Sequence, residues 1–524
     1  MKPVFKPYNM GQMLLMPQSY EELIPEGHLV RVVNEAVERI QVEGLLARYA
    51  GGGTSSYHPK MMLKVLVYAY CQKIYTSRKI AAALRENIYF LWISGGNQPD
   101  FRTINEFRGV RMKGVIGEVF GAVVEYLLEA GYVKMENMFV DGSKIEADAN
   151  KHKVVWAKRK ERYEKRVKEQ IGELLEQIEK ANEEEQGEYG ERDLEELGGQ
   201  GTPDLNGERL KKKIEELNQR LREKGQRPEQ EKKARQVLKT LEKEKLPRLE
   251  KYEEQTRLLA GRNSYSKTDP DASCQRMKED RGAKRPWAKP AYNVQIGTAG
   301  QFIVSTSVHG QGSDTPCLIP HLNSMSTKLK SLLKNVVADA AYGSEENYAY
   351  LEKHELGNYL KYNTFYQDTH HYRNPDLLRQ HQFRADHFEY EAPNDQFLCP
   401  AKRRLSYLYT RQSKTDTGYL STRRHYECEN CTDCLLKSQC TKAKGNRQIQ
   451  VSFQLREYRR QARQNLTSER GQWLRAQRSV EPETVFGDLK HNLGFRRFHL
   501  RGLKKVTTEW TLLCIAHNMR KLAL

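Results

Sequence analysis

The sequence predicts a mixed α/β fold that carries additional helical segments. Between residues 131 and 362, short apolar runs typical of buried strands alternate with stretches of helical spacing. The stretch from about residue 150 to 260 is instead long and charged, and its apolar residues recur at heptad-like intervals. The first observation indicates one sheet with helices on it, and the second indicates a helical insertion.

Composition limits the partners that the chain can have. The 524 residues include 87 Lys and Arg against 68 Asp and Glu, a net charge of +19. Such a surplus favours nucleic acid first and a membrane surface second, although a basic protein without a polyanionic partner is the alternative. We find no apolar run of membrane-spanning length and no signal-peptide cleavage pattern near the N-terminus, so we expect a cytoplasmic protein.

The N-terminal part, residues 1–130, is predicted to be a helical domain. One helical run covers Leu29–Ala47, and another begins at Pro59, where the missing N–H costs nothing. The Thr76-Ser77 pair predicts a break and a cap before a third helix. Two helices joined by a tight turn resemble a helix-turn-helix module for DNA, with an ordinary helical hairpin as the alternative. The nearby cations are Lys64, Lys73, Arg78 and Lys79.

The charged stretch, residues 150–260, is predicted to form a helical arm. Two apolar seams step by three and four residues; they consist of Val167, Ile171, Leu174 and Ile178, and of Leu210, Ile214, Leu217 and Leu221. The segment LGGQGTPD between the seams is typical of a turn. A third helix is expected over Glu229–Glu254. A charged helix is usually just a solvated face, but an arm of this length could also serve dimerisation or DNA contact.

Strand signals return around the arm. The run NMFVD, residues 137–141, predicts a buried strand that ends at Asp141. Tyr292–Ile296 and Phe302–Val308 predict a hairpin, and a helix-like stretch over 314–333 follows. Another apolar run, Asn335–Ala338, leads into Asp339. A helix over Ser344–His354 and a strand over Tyr359–Tyr362 complete the predicted sheet.

Carboxylates at strand ends suggest a metal site. Phosphodiester transfer needs an activated attacking oxygen and a stabilised leaving oxygen, and two divalent ions about 4 Å apart can supply both. Mg²⁺ prefers oxygen ligands, so converging carboxylates fit this chemistry. Asp141 and Asp339 each follow an apolar strand, and Glu483 lies in a segment with helical spacing. A single Asp at a strand end would more simply be a cap.

Nearly the whole chain resembles bacterial insertion-sequence transposases of the DDE class. The motifs that carry the resemblance are VDGSKIEADANK, NSYSKTDPDASCQRMKED, AYNVQIG, ADAAYGSEENY and VFGDLKHNLGFRRFHLRG. The resemblance implies a ribonuclease-H-like catalytic fold in which Asp141, Asp339 and Glu483 hold Mg²⁺ or Mn²⁺. In that family an Arg precedes the Glu and a Lys follows it by seven positions. Lys490 fits this spacing, but Arg478 lies five positions before Glu483, one more than usual. Glu481 is therefore a rival for the third ligand.

Basic residues near the third motif are candidate DNA contacts. They are Arg478, Lys490, Arg496, Arg497 and Arg501. Such residues position DNA through its phosphates; a solvated basic helix face is the alternative. Tyr342 could contact the substrate or simply pack. Asp269 and Asp271 are interpreted as turn residues, although their loop could lie near the site.

Cysteines crowd into the segment 363–450. Cys428, Cys431, Cys434 and Cys440 form C-x2-C-x2-C-x5-C, and Cys399 precedes Pro400. Four thiolates could hold a structural Zn²⁺, and unmetallated thiols are the alternative. The preferred ligand set is Cys399, Cys431, Cys434 and Cys440, with Cys428 replacing Cys399 in the second set. The remaining cysteines are most simply buried small hydrophobic residues.

The resemblance implies the following organisation and activity. The ribonuclease-H-like domain would comprise 131–149, 261–362 and 451–524, interrupted by the helical arm and the cysteine-rich insertion. The chain would cleave double-stranded DNA at terminal inverted repeats and join the 3′-OH to target DNA. We expect a homodimer or higher oligomer, association with the bacterial nucleoid and no membrane. The alternatives are a nuclease of the same fold without strand transfer, and a catalytically decayed or domesticated DNA-binding protein.

Overall fold

The computed structural model describes residues 19–41, 43–49, 56–186, 205–223, 228–277, 288–369 and 382–524. The chain divides into two compact units. Unit 1 comprises Met1–Ile145, Asn293–His309 and Ser313–Leu524, and unit 2 comprises Glu146–Tyr292 with Gly310–Gly312.

Helices make up most of the described N-terminal and C-terminal segments and most of the described arm. In chain order they are α1 (Tyr20–Leu23), α2 (Leu29–Arg39), α3 (Glu43–Leu46), α4 (Pro59–Cys71), α5 (Ser77–Glu86), α6 (Ile88–Ile93), α7 (Phe101–Glu106), α8 (Ile116–Glu129), α9 (Ala157–Gln186), α10 (Gly207–Glu223), α11 (Pro228–Thr240), α12 (Leu246–Leu259), α13 (Leu318–Asn323), α14 (Thr327–Leu332), α15 (Glu345–Lys353), α16 (Phe365–Thr369), α17 (Lys437–Cys440), α18 (Phe453–Thr467), α19 (Glu469–Val480), α20 (Pro482–Gly487) and α21 (Leu503–Leu522). Single π-helical turns cover Phe107–Arg111, Leu241–Lys245 and Asp488–Asn492.

The strands lie between these helices. They are β1 (Asn137–Glu146), β2 (Val154–Trp156), β3 (Ser264–Ser266), β4 (Ser273–Gln275), β5 (Lys289–Ala299), β6 (Phe302–His309), β7 (Asn335–Ala338), β8 (Gly357–Leu360), β9 (Glu389–Glu391), β10 (Gln396–Leu398), β11 (Arg404–Lys414), β12 (Leu420–Cys428) and β13 (Gln448–Val451).

The central sheet of unit 1 is mixed. Its strand order is β6-β5-β1-β7-β8. β7 runs parallel to both β1 and β8, whereas β5 and β6 form an antiparallel hairpin. The predicted mixed α/β fold and the predicted hairpin are therefore confirmed.

Several predicted boundaries differ from the structure. β1 continues to Glu146, so Asp141 lies within the strand rather than at its end. The reason is that β1 also neighbours β5 in the sheet, although its pairing with β7 stops at Val140. The stretch 314–333 is broken into a 3-10 turn and two short helices, because Ser326 caps a new helix. The last predicted strand of the sheet begins earlier, at Gly357.

The N-terminal helices share a core with the C-terminal helix. α21 is buried on nearly all sides and packs against β6, α2, α4 and α8. Pro59 occupies the first turn of α4, as predicted. The hydroxyl of Thr76 accepts a hydrogen bond from the Lys79 main-chain nitrogen at 3.4 Å and caps α5, also as predicted. The predicted helix over 29–47 instead ends at Arg39, since Ile40 is extended.

A second sheet in unit 1 has the order β13-β12-β11-β10-β9. All of its neighbouring strands are antiparallel. Its small core consists of aromatic and aliphatic side chains together with Cys399, Cys428 and Cys431.

Unit 2 contains the predicted helical arm. Val167, Ile171 and Ile178 pack with Leu210, Ile214 and Leu217, so the predicted seams are in contact. The expected third helix is present as α11 and α12, joined by a π-helical turn. The turn LGGQGTPD and the Leu221 side chain lie outside the described residues. Among the helices described, none is long and apolar enough to cross a bilayer.

Candidate active site

Asp141 occupies a crowded position in β1. It is 9% exposed and directly follows Val140, the last β1 residue paired with β7. The next residue has no room for a side chain, because a Cβ on Gly142 would lie 2.3 Å from Gln295 Nε2 and 2.7 Å from Asp314 Oδ1. The backbone next to Asp141 therefore packs directly against the Gln295 and Asp314 side chains.

Asp339 directly follows β7 and caps a short turn. Its Oδ1 accepts a hydrogen bond from the Ala341 main-chain nitrogen at 2.7 Å. A residue outside the turn also stabilises it, since Thr315 Oγ1 donates to the Ala341 carbonyl oxygen at 2.6 Å. With 40% of its side chain exposed, Asp339 is more open than Asp141.

Tyr342 is the last residue of the same turn. It is fully buried and donates its hydroxyl hydrogen to Gln295 Oε1. Burial, with Asp314 next in effect, raises the pKa of Tyr342 well above its usual value. Of the two roles that the sequence allowed for Tyr342, the structure supports packing.

Gln295 was not anticipated as part of the site. Its amide nitrogen donates to Asn293 Oδ1 at 3.0 Å and to Asp314 Oδ1 at 3.1 Å. The side chain thus connects the Asp339 turn with the backbone beside Asp141. A sequence signal did exist, since Asn293 and Gln295 are polar residues that alternate along an otherwise apolar strand.

The two glutamates of the third motif point to different partners. Glu481 is 8% exposed, and its Oε2 accepts a hydrogen bond from the main-chain nitrogen of Gln301 at 2.7 Å. Glu483 lies in the first turn of α20, with 54% of its side chain exposed.

Arg478, near the end of α19, brings the three predicted carboxylates together. One of its terminal nitrogens, Nη2, lies 3.4 Å from Asp141 Oδ1 and 3.4 Å from Asp339 Oδ2. The other, Nη1, lies 3.4 Å from Glu483 Oε1. Because the Arg478 side chain is only 12% exposed, these pairs are partly shielded from water. Asp141, Asp339 and Glu483 therefore surround one centre of positive charge.

The donor set has the chemistry that a hard cation requires. Three carboxylates of one site supply only oxygen, as Mg²⁺ and Mn²⁺ prefer. Within the described residues no three His, Cys, Asp or Glu side chains are arranged to hold a metal ion. In this conformation the Arg478 guanidinium lies where the carboxylates meet.

The other predicted DNA contacts follow α20. Arg496, Arg497 and Arg501 are exposed, whereas Lys490 is half-buried. Their loop is anchored by a fully buried carboxylate, because Glu509 accepts hydrogen bonds from the main-chain nitrogens of two loop residues. These residues are His499 and Leu500, at 3.0 and 2.9 Å. These hydrogen bonds hold in place the loop that carries the three exposed arginines, in the segment that follows Glu483.

The KTDPDAS loop belongs to unit 2. Asp269 is buried, and each of its carboxylate oxygens lies 2.9 Å from the Tyr292 hydroxyl, which donates to it. Asp271 supplies a main-chain carbonyl to Arg262 at 2.6 Å. These contacts stabilise the loop and agree with the interpretation of both residues as turn residues.

The five clustered cysteines line one small cavity of about 20 Å³ in unit 1; they are Cys399, Cys428, Cys431, Cys434 and Cys440. Burial and the neighbouring Cys431 raise the pKa of Cys428 to about 12. Burial also raises the pKa of Cys440, and the thiols that add to this effect are Cys399, Cys431 and Cys434. The Cys428 thiol donates to the Asn430 carbonyl oxygen at 3.7 Å, and Cys428 also interacts with Cys431 and Cys399. The four cysteines of the preferred set are thus electrostatic neighbours.

Comparisons with known families give two matches. Residues 398–523 match the family model described as "Transposase DDE domain", and residues 18–109 match the one described as "Transposase domain (DUF772)". No curated protein and no solved structure is matched by the chain. The first match includes Arg478 and Glu483, and the second includes the helices from α1 to α7.

Proposed function

Taking as premise that this chain is an insertion-sequence transposase of the DDE class, which both family matches support, we propose that it cleaves DNA at the element's terminal inverted repeats and joins the freed 3′-OH to target DNA. The observation that carries the proposal is the convergence of Asp141, Asp339 and Glu483 on the guanidinium of Arg478.

In this proposal the three carboxylates are the metal ligands. Two bound divalent ions would activate the attacking oxygen and stabilise the leaving oxygen. Asp141 is held by the backbone packing at Gly142, and Asp339 by the hydrogen bond from Ala341. Glu483 is exposed enough to reorient around an ion. Each carboxylate lies 3.4 Å from the same guanidinium, so the three would close on an ion once Arg478 moves away.

Arg478 has two roles in this proposal. Without metal, its charge offsets the repulsion among three neighbouring carboxylates. When the carboxylates bind cations, the guanidinium is free to turn toward a DNA phosphate, which it can contact through two parallel hydrogen bonds. Lys490, Arg496, Arg497 and Arg501 would continue this phosphate-binding surface without reading sequence.

The fold supports the same proposal. In a ribonuclease-H-like domain the first Asp lies on the first strand, the second follows the fourth strand, and the Glu lies on a later helix. Here Asp141 lies on β1, Asp339 follows β7, and Glu483 lies on α20. Within unit 1 the corresponding strands are β1, β5, β6 and β7, which makes Asp339 the residue after the fourth strand. The N-terminal helices would recognise the repeats, and pairing of two element ends would require at least a dimer.

We further propose a structural Zn²⁺ on Cys399, Cys431, Cys434 and Cys440. The proximity of the Cys440 thiol to the other three supports this set, and four thiolates are the usual ligands of structural zinc. In this set Cys428 remains a core residue that donates to the Asn430 carbonyl oxygen; the second set uses Cys428 in place of Cys399. The ion would connect the residue after β10, the loop after β12 and α17, which lie at the same end of the second sheet.

A strand-transfer assay tests the activity. The purified chain would be incubated with labelled element-end DNA, target DNA and Mg²⁺, and its products separated. Joined product supports the transposase, cleavage alone supports a nuclease of the same fold, and binding alone supports a decayed DNA-binding protein. Asp141→Asn and Asp339→Asn should each abolish cleavage and preserve DNA binding. Cleavage by either pure variant would overturn the assignment.

A further inference from the structure

The hairpin β11–β12 is the most exposed secondary structure of the second sheet. Nearly every β11 residue from Ser406 to Lys414 is exposed. Three consecutive large side chains on this strand, Tyr407, Leu408 and Tyr409, are 43, 45 and 49% exposed. A strand that leaves such residues in water offers a surface for a partner.

Two positive charges face each other on the hairpin, which is unfavourable when no partner is bound. Arg411 and Arg423 are direct cross-strand partners, so their side chains leave the same face of the hairpin. Like charges in this position repel each other. Among the described residues, no carboxylate forms an ion pair with either arginine. A bound polyanion would remove this repulsion.

Further exposed cations lie along β11. They are Arg404 and Lys414 at the two ends of the strand, and Lys414, three residues after Arg411, lies on the opposite face of the hairpin. Tyr409 lies two residues before Arg411, on the same face, and stacks on His425 with ring centroids 4.4 Å apart. The hairpin therefore combines exposed cations with an exposed ring. This composition, on a two-stranded ribbon, suits a nucleic-acid groove.

The turn that joins β11 to β12, and the start of β12, are hydrogen-bonded to α15. Thr417 Oγ1 donates to Glu346 Oε2 at 2.6 Å, and Ser421 Oγ donates to Glu345 Oε2 at 3.0 Å. α15 begins only six residues after Asp339. These contacts place the end of the hairpin on the element that follows the Asp339 turn.

We propose that the β11–β12 hairpin is a DNA-binding ribbon, with Arg411 and Arg423 contacting phosphates of the duplex that enters the active site. The identity of the partner rests on the proposed function. The charge complementarity rests on the hairpin itself, because two facing arginines without ion-paired carboxylates attract an anion and repel a cation.

The test measures the affinity of the full chain for duplex DNA by fluorescence anisotropy across a series of salt concentrations. Each lost phosphate contact lowers the slope of log affinity against log salt by about 0.9. The double variant Arg411→Ala/Arg423→Ala should therefore lower the slope by about 1.8. It should also weaken binding to element-end DNA and unrelated duplex by the same factor, since phosphates carry no sequence information.

Two further variants keep the test independent of folding. Arg411→Glu places an acid opposite Arg423, which should preserve the hairpin and still weaken DNA binding. The matched control, Lys134→Ala/Lys334→Ala, removes two exposed cations that lie just before β1 and β7. It should change the slope of log affinity against log salt less than the Arg411→Ala/Arg423→Ala variant does.

The outcomes separate this proposal from the proposed function. A wild-type chain that joins DNA, together with a double variant of unchanged salt slope, would overturn the ribbon alone. A change of oligomeric state in the double variant with unchanged DNA affinity would also overturn it, in favour of a contact between copies of the chain. A wild-type chain that neither binds nor joins DNA would overturn both proposals.

Discussion

The Glu481 carboxylate accepts a hydrogen bond from the main-chain nitrogen of Gln301 at 2.7 Å. Gln301 lies in the β5–β6 turn with a φ of 61°, a conformation that few residues other than glycine adopt. A buried acceptor for its N–H helps to hold this turn. The Glu481 carboxylate therefore binds the β5–β6 turn, whereas the Glu483 carboxylate lies 3.4 Å from Arg478.

The two glutamates should respond differently to substitution. Glu481→Ala leaves the Gln301 N–H without its partner and should lower the free energy of unfolding by about 1–3 kcal/mol. Glu483→Gln should leave the unfolding free energy nearly unchanged and abolish DNA cleavage. Denaturant unfolding and a cleavage assay on both variants measure these effects. A cleaving Glu483→Gln protein would return Glu481 to consideration as the third ligand.

Removal of the Arg478 charge should strengthen metal binding. Because the guanidinium contacts all three carboxylates, a cation must displace it, and a charged hydrogen bond contributes about 1.5–3 kcal/mol. Arg478→Ala should therefore bind Mn²⁺ about tenfold more tightly or better in calorimetry without DNA. DNA joining should fall at the same time, since the phosphate contact is lost.

Arg475→Ala is the matched control for this prediction. Arg475 lies one turn earlier on α19, and its guanidinium lies 5.1 Å from the Phe365 ring centre. Its removal should leave Mn²⁺ affinity unchanged. Weaker Mn²⁺ binding by Arg478→Ala would show that the arginine supports the metal site instead of competing for it.

Gly142→Ala should disturb the site next to Asp141. The added methyl group would collide with Gln295 Nε2, only 2.3 Å away, and with Asp314. Overpacking of this kind costs about 1–3 kcal/mol and would displace the Gln295 and Asp314 side chains, which are hydrogen-bonded to each other. We expect a lower melting temperature and a reduced cleavage rate. Gly121→Ala in α8, where nothing lies within 4 Å, should instead stabilise the chain by about 1 kcal/mol.

Stability should fall in mild acid because of His321. This fully buried ring lies 2.7 Å from Ser305 Oγ and 2.8 Å from Ser307 Oγ, and burial lowers the pKa of His321 to about 3. Burial likewise lowers the pKa of His309 to about 4. Below the usual histidine pKa of about 6.5, only the unfolded chain takes up these protons.

The contribution of His321 is thus complete above about pH 6.5 and is lost progressively as the pH falls toward its folded pKa. Melting temperatures of the wild type and of His321→Gln, measured from pH 7.5 to pH 4.5, test this. The melting temperature of the variant should decrease less than that of the wild type between pH 7.5 and pH 4.5. His354→Gln, which removes an exposed ring, should keep the wild-type profile.

The cysteine cluster gives a prediction of metal content. The purified chain should contain one zinc ion, and Cys434→Ser or Cys440→Ser should lose it and lower the melting temperature. Cys428→Ser should retain the metal if the preferred set is correct, and its loss of the metal would favour the set that uses Cys428 in place of Cys399. Cys274→Ser, in unit 2, is the control. A metal-free wild type by mass spectrometry would favour unmetallated thiols.

Local patterns in the sequence determined the elements of this protein. Apolar spacing predicted the two arm seams, Pro59 and Thr76 predicted helix starts, and two neighbouring strand-like runs predicted the β5–β6 hairpin. These features depend on residues close together in the chain, so they can be read from it. The motifs around Asp141, Asp339 and Glu483 also indicated the family, since motif spacing is a property of the sequence.

Only the tertiary structure decided which side chains meet. The distinction between Glu481 and Glu483 depends on Gln301, and the packing at Gly142 depends on Gln295. Both partners lie more than a hundred residues away in the chain. The position of Arg478 among three carboxylates likewise requires β1, β7 and α20 to be brought together. Such contacts follow from sheet order and helix packing, which no local pattern of residues specifies.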